Sequence, residues 1–215
     1  FHPFIHESRG HPGQIESAKR IREALKGSPL LSKNYARAMD KVQDPYSIRC
    51  APQVYGASRD ALQYAKKVME TEMNAVTDNP LVNTEDGSII SGGNFHGQPL
   101  AYAFDFASIA VCEIASLSER RLDLLFNPQF SQLPAFLSPK EGLCSGYMAA
   151  QYLSASLVNE NKMLSHPCST DSIPGNVGVE DHVSMGMTSA RKLKKIVDNV
   201  LTVLCCEWVA ACQAC

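Results

Sequence analysis

The sequence lacks most of what would mark it for export, for a membrane or for nucleic acid. It contains no Asn-x-Ser/Thr sequon and shows no signal-peptide pattern, so its eight cysteines are read as reduced thiols rather than a disulfide framework. A cytoplasmic location is the resulting expectation. Long hydrophobic runs are scarce: the largely apolar stretch from Val200 to Cys206 is far too short to cross a bilayer and is followed by Glu207, so no membrane is expected. An excess of one charge is also missing. The 20 basic and 22 acidic residues are interspersed and leave a net charge of -2, which gives nucleic acid no basic field to bind. Cys212-Ala-Gln-Cys215 has no further ligands at zinc spacing, and His2, His6 and His11 are irregularly placed, so no metal site is expected.

What is present is enough apolar content, 45% of 215 residues, to build a sizeable core. Spacing predicts helices over Pro12 to Lys26, Val54 to Val76, Pro99 to Leu125, Gly142 to Ser165 and about Asp181 to Cys215. Leu81 to Ile90 reads as a hairpin with Asp86-Gly87 as a tight two-residue turn, the only clear β signal. In the last helix Leu193, Ile196, Val197, Val200, Leu201, Leu204 and Trp208 recur every three to four residues, a stripe that calls for partner helices. No repeat or flexible linker divides the chain. The expectation is an all-α fold, a bundle of long helices with one small β-hairpin near 81–92, forming a single helical domain over residues 1–215.

Three segments could carry chemistry. In Gln43-Asp44-Pro45-Tyr46-Ser47-Ile48-Arg49, Asp44 suits a helix cap and Pro45 the first helical position. Tyr46 and Arg49 then share a face, so an amide, a phenol and a guanidinium converge on a small anionic ligand such as a carboxylate. An ordinary helix start with an exposed arginine would have the same sequence. Gly92-Gly93-Asn94-Phe95-His96-Gly97 lets backbone approach a ligand beside an aromatic face, but lacks the Lys-Ser/Thr ending of a phosphate loop. A loop with a packing phenylalanine is the plain alternative. Glu180-Asp181-His182 crowds charge where a Gly-rich loop becomes a helix; there Asp181 could simply favour the helix N-terminus and His182 could be structural.

Together with Ala75-Val76-Thr77-Asp78-Asn79-Pro80, Ser118-Glu119-Arg120-Arg121, Leu133-Pro134-Ala135-Phe136-Leu137 and Asn159-Glu160-Asn161-Lys162, these segments resemble the histidine ammonia-lyases in wording, order and spacing. The resemblance covers essentially the whole chain but only the middle-to-C-terminal part of such an enzyme. It implies a mostly helical homotetramer with active sites shared between subunits, and the non-oxidative deamination of L-histidine to trans-urocanate and ammonia. It further implies a methylidene-imidazolone electrophile formed from an Ala-Ser-Gly tripeptide. No Ala-Ser-Gly occurs here; Cys144-Ser145-Gly146 comes nearest, and the resemblance puts it in a packing helix. Carried over by position, Arg49 would hold the substrate carboxylate, Gln43 and Tyr46 would line the pocket, Phe95 would pack against the electrophile, and Glu180 would engage the imidazole or amine, with Tyr46 and Glu180 catalytic; the tyrosine that serves as base in the family would lie in the missing N-terminal part.

Two departures stand out, Tyr55 after Pro52-Gln53-Val54 and the Gly-rich stretch Gly175 to Val179, which is expected to be more mobile. Phenylalanine and tyrosine ammonia-lyases and aminomutases share the implied fold and electrophile, but a carboxylate at position 180 suits an imidazole and has nothing to bond on a phenyl ring. A non-catalytic helical assembly fragment is the remaining alternative, which the joint presence of Tyr46, Arg49, Phe95 and Glu180 disfavours. Starting at Phe1 and running helically into Cys215, the chain reads as an internal fragment without the electrophile-bearing part. The expected outcome is that the pure fragment forms no urocanate; ultraviolet absorbance during incubation with L-histidine checks this.

Overall fold

A computed structural model describes residues 1–29, 42–140 and 142–215. Helices α1 (Pro3–Glu7) and α2 (Pro12–Ala24) lead in; a single-turn α3 (Tyr46–Arg49) precedes α4 (Ala51–Glu72). Strands β1 (Leu81–Val82) and β2 (Ile89–Ile90) follow, then α5 (Gln98–Phe126), the short α6 (Pro128–Ser131), α7 (Met148–Leu164) and α8 (Gly186–Ala214). Helix α5 is the centre: α8 and α4 lie along it, α7 packs on both α5 and α8, and α2 packs on α4.

The main core joins Val111, Cys112 and Ala115 of α5 to Val158 of α7 and Ile196, Val200 and Val203 of α8. A second cluster around Leu122, Phe126, Leu137 and Ala210 closes the far end of α5. By length and composition alone α5 and α8 could each cross a bilayer, a property that no short apolar run revealed. Here α5 buries about half of its most apolar stretch against the other helices, while Tyr102, Phe106 and Ile109 remain exposed. Helix α8 spends only part of its predicted stripe: Ile196 and Val200 are buried, while Leu201 and Trp208 remain exposed.

Several boundaries differ from expectation, each for a local reason. The hairpin pairs Leu81 with Ile90 and Val82 with Ile89, but Asn83 N–H also donates to the Ser88 carbonyl, so residues 84–87 form a four-residue connection instead of a two-residue turn. Helix α7 begins at Met148, not Gly142, because Gly146 has φ +52 and lies where a Cβ would stand 2.4 Å from the Phe136 carbonyl oxygen. Cys144-Ser145-Gly146 therefore lies in the turn before a helix and not within one. Helix α8 begins at Gly186; residues 180–182 belong to the preceding loop.

Two contacts set the frame around which the rest is arranged. At the α2–α4 crossing a Cβ on Gly13 would meet the Gly56 carbonyl oxygen at 2.3 Å, and one on Gly56 would meet Gln14 Cα at 2.4 Å. The Gly13 N–H, otherwise unpaired at the start of α2, donates to Asp60 Oδ1 at 2.9 Å. At the other contact Asp105 of α5, 1% exposed, accepts the backbone N–H groups of Cys168 (2.8 Å) and Ser169 (2.7 Å) through Oδ2. Ser169 in turn accepts from the Gln98 side chain at 3.0 Å through its carbonyl. The α7–α8 loop is thereby tied to the first turns of α5. Burial alone would push the Asp105 carboxyl up, but the hydrogen bonds from Ser169, Ser189 and Cys168 outweigh it and hold the group below the usual carboxylate range.

Gly56→Ala is expected to lower stability by about 1–3 kcal/mol or more through overpacking against backbone, read as a lower urea midpoint. Because the folded carboxyl of Asp105 sits below its unfolded value, its contribution is present above the unfolded pKa of roughly 3.9 and is lost as pH falls through the folded value. Asp105→Asn should cost about 1–3 kcal/mol for each buried N–H left without an acceptor. It should also flatten the loss of stability on acidification, measured as urea midpoint against pH.

Candidate functional site

Pro45, not Asp44, occupies the N-cap of α3, and no side chain caps that helix. Asp44 contributes its carbonyl instead, accepting from Arg49 Nε at 2.9 Å. The Arg49 guanidinium carbon lies 4.6 Å from the Tyr46 ring centroid, so the predicted shared face exists and the cation is held over the aromatic ring. Among the described residues nothing accepts from the terminal NH2 groups of Arg49. Gln43, Tyr46 and Arg49 are all exposed, and Ser47 between them is buried. The unit presents an oriented, open guanidinium, a shape that matches a carboxylate.

The second group forms around the start of α5. Phe95 is 60% exposed, with open space beside Gly92 and Gly93. His96 Nε2 lies 2.9 Å from the His182 carbonyl, and its ring stacks on that of His182 at 5.8 Å and 4°. A carbonyl only accepts, so Nε2 carries the proton, and Nδ1 accepts from the Gln98 N–H at 3.3 Å. This contact bridges the Phe95 loop to the Glu180 loop. A second close approach reinforces it: a Cβ on Gly97 would stand 3.0 Å from the Ser184 hydroxyl.

Glu180 closes a tight turn. The Gly175 N–H donates to the Glu180 carbonyl at 2.9 Å, with Asn176, Val177 and Gly178 between them all at positive φ. A β-branched residue in that region, here Val177 at φ 55, costs on the order of 1–3 kcal/mol, strain stored one turn from the carboxylate. The Glu180 side chain is exposed and, among the described residues, hydrogen-bonds only to Asn176 Nδ2, at 3.5 Å. Asp181 and His182 are exposed in the same loop, so the acidic cap and helix start expected for them are not formed.

The structure brings Phe95 and Glu180 to one end of α5 and leaves Gln43, Tyr46 and Arg49 at the other. Arg121 reaches the Ser47 carbonyl at 3.4 Å, placing α3 beside residue 121 of α5, whereas the Phe95 loop precedes residue 98. At ~1.5 Å per residue that separation is about 35 Å, far longer than an amino acid. A groove of about 600 Å³ between α2, α4, α5 and α8 holds none of these residues. A smaller one of about 210 Å³ borders α3 and is lined by Asp44, Pro45, Ile48 and Arg121.

Sequence reading missed two supports. Asp105 is the lone charge in the apolar first half of α5, from Gln98 to Cys112, and that isolation is its only signal. Arg121 stood within Ser118-Glu119-Arg120-Arg121, noticed only as a matching motif. Among the described residues no cluster of three or more His, Cys, Asp or Glu could hold a metal ion. An exposed Phe95 on a loop with uncovered backbone does fit a flat, conjugated ring laid against it.

The model of the family described as "Aromatic amino acid lyase" matches residues 1–215. A histidine ammonia-lyase of Treponema denticola is 56% identical over 214 residues, covering 99% of this chain and 41% of the relative. A histidine ammonia-lyase structure from Trypanosoma cruzi superposes with a TM-score of 0.86 at 45% identity, over 99% of this chain and 39% of that one. A tyrosine aminomutase structure from Streptomyces globisporus gives 0.89 at 38%, over 99% and 44%. The chain thus spans about two-fifths of the length of the relatives it matches. With a helical bundle of the same shape and a match over its full length, this chain belongs to the aromatic amino acid lyase family.

Proposed function

We propose that this chain carries the carboxylate-binding and ring-binding elements of a histidine ammonia-lyase, a cytoplasmic enzyme that converts L-histidine to trans-urocanate and ammonia. The observation that carries the reading is Glu180: an exposed carboxylate with one long contact, on a strained turn joined to the Phe95 loop. An imidazole N–H gives that carboxylate a partner, and a phenyl ring does not. Arg49 pairs with the substrate carboxylate through its two free NH2 groups, Gln43 lies beside it, and the Tyr46 hydroxyl serves proton transfer at the substrate. Phe95 would pack against the methylidene-imidazolone, a group that, when bound, would supply the electrophile needed to turn the amino group into a leaving group.

The two groups lie about 35 Å apart along one helix, so one histidine meets both only where copies of the chain come together. This supports a homotetramer with shared active sites. The half-exposed stripe of α8, with Leu201 and Trp208, offers apolar surface for that assembly. All eight cysteines are free, in keeping with a reducing compartment.

In a full-length lyase carrying this sequence, Glu180→Gln is expected to lower urocanate formation by about 10- to 100-fold, the loss of one charged hydrogen bond. Arg49→Lys should raise KM for histidine more than it lowers kcat. Turnover of tyrosine or phenylalanine in place of histidine would assign the chain to the aromatic-substrate branch.

A further inference from the structure

The motif Ser118-Glu119-Arg120-Arg121 has no part in the site as described, yet its side chains are heavily engaged. Arg121 of α5 meets Glu207 of α8 in a two-point pair, Nε to Oε1 at 2.5 Å and Nη2 to Oε2 at 2.7 Å, with both side chains only about one-fifth exposed. The Ser118 hydroxyl donates to the same Oε2 at 2.5 Å. The guanidinium carbon lies 5.6 Å from the Tyr55 ring centroid. With two of its donor positions committed, the plane of the guanidinium is fixed, and the remaining Nη1 points to the Ser47 carbonyl at 3.4 Å. Ser47 is the buried residue of α3, and Tyr46 and Arg49 of the same turn are exposed.

We infer that Arg121, clamped by Glu207, is a positioning residue that holds the Tyr46–Arg49 turn so that Arg49 presents its fork to the substrate carboxylate. The inference rests on the proposed carboxylate role of Arg49. Helix α3 is one turn long and lacks a side-chain cap, so its own hydrogen bonds fix its orientation weakly. The Nη1 contact supplies a link to the central helix, and Glu207 supplies the direction of that link. A clamp that served stability alone would need only the pair with Glu207. The third donor, aimed at the backbone of the binding turn, is what a positioning role requires and what lysine cannot reproduce.

The test uses a full-length lyase carrying this sequence and the variant Arg121→Lys, which keeps a charge for Glu207 but loses the planar fork. Amide hydrogen exchange is expected to speed up at residues 46–50 and to stay unchanged at 176–184. KM for L-histidine and the inhibition constant of trans-urocanate should rise about tenfold, with kcat less affected, as one charge-assisted contact is lost. The inhibition constant of imidazole, which has no carboxylate, should not move. Unchanged exchange at 46–50, or equal weakening of urocanate and imidazole, overturns the inference. If Arg121→Lys does not fold, Glu207→Gln, which keeps a partner for Ser118 but frees the guanidinium, is read by the same two measurements. A parent enzyme that neither turns over histidine nor binds urocanate would remove the substrate reading, while the exchange data would still decide whether Arg121 holds the turn.

Discussion

The continuity of one helix governs this structure. Helix α5 runs 29 residues without a break, and a straight helix does not shorten to bring its ends together. Everything attached to its first turns is therefore separated from everything attached to its last. The Phe95 and Glu180 loops are tied to the first turns through Gln98 and Asp105; the Arg49 turn is tied to the last through Arg121. The helix acts as a spacer between two half-sites, and the chemistry proposed for the family member depends on a second copy supplying the opposite half.

Such a spacer must be held straight, and the packing shows how. The buried face of α5 is built largely from small residues, Ala101, Ala103, Ala107, Ser108, Ala115 and Ser118, which let neighbouring helices approach closely. Some polar groups in these interfaces are paired across helices: Asn199 of α8 donates to Glu160 at 2.7 Å and to Asn161 at 2.9 Å, and the Cys112 thiol donates to the Asn161 carbonyl at 3.3 Å. A hydrogen-bonded polar seam fixes the register of α5, α7 and α8 in a way that an all-aliphatic seam would not.

The helical class, the four long helices and the hairpin were legible because apolar spacing and Pro/Asn stops report on local structure. Asn127-Pro128 ends α5 as expected, and Asn127 then accepts from the Gln129 N–H to begin α6. The shared face of Tyr46 and Arg49 was legible for the same reason. The start of α8 was not: Glu180 and Asp181 look like first-turn acids, but the Glu180 backbone is used in the turn closed on Gly175, a contact outside helical spacing, and Asp181 follows it in the loop. Nor could local pattern reveal that Arg121 meets Glu207, 86 positions away, or that Gly13 and Gly56 touch. The site residues themselves were nameable only through the resemblance, and their division between two ends of α5 is a property of three dimensions.

The clasp at Asp105 makes the first end of α5 a single rigid jaw. One carboxylate holds two successive amides of the α7–α8 loop, and His96 joins that loop to the one bearing Phe95. Phe95 and Glu180 therefore translate together with the helix that carries them. Under the proposed function, a ligand between that jaw and the Arg49 turn of another copy would be released most easily by slippage between copies, because opening the jaw itself would strip a buried carboxylate of its donors. In such an enzyme the rate of product escape would follow the elasticity of the interface between copies, not the flexibility of either loop.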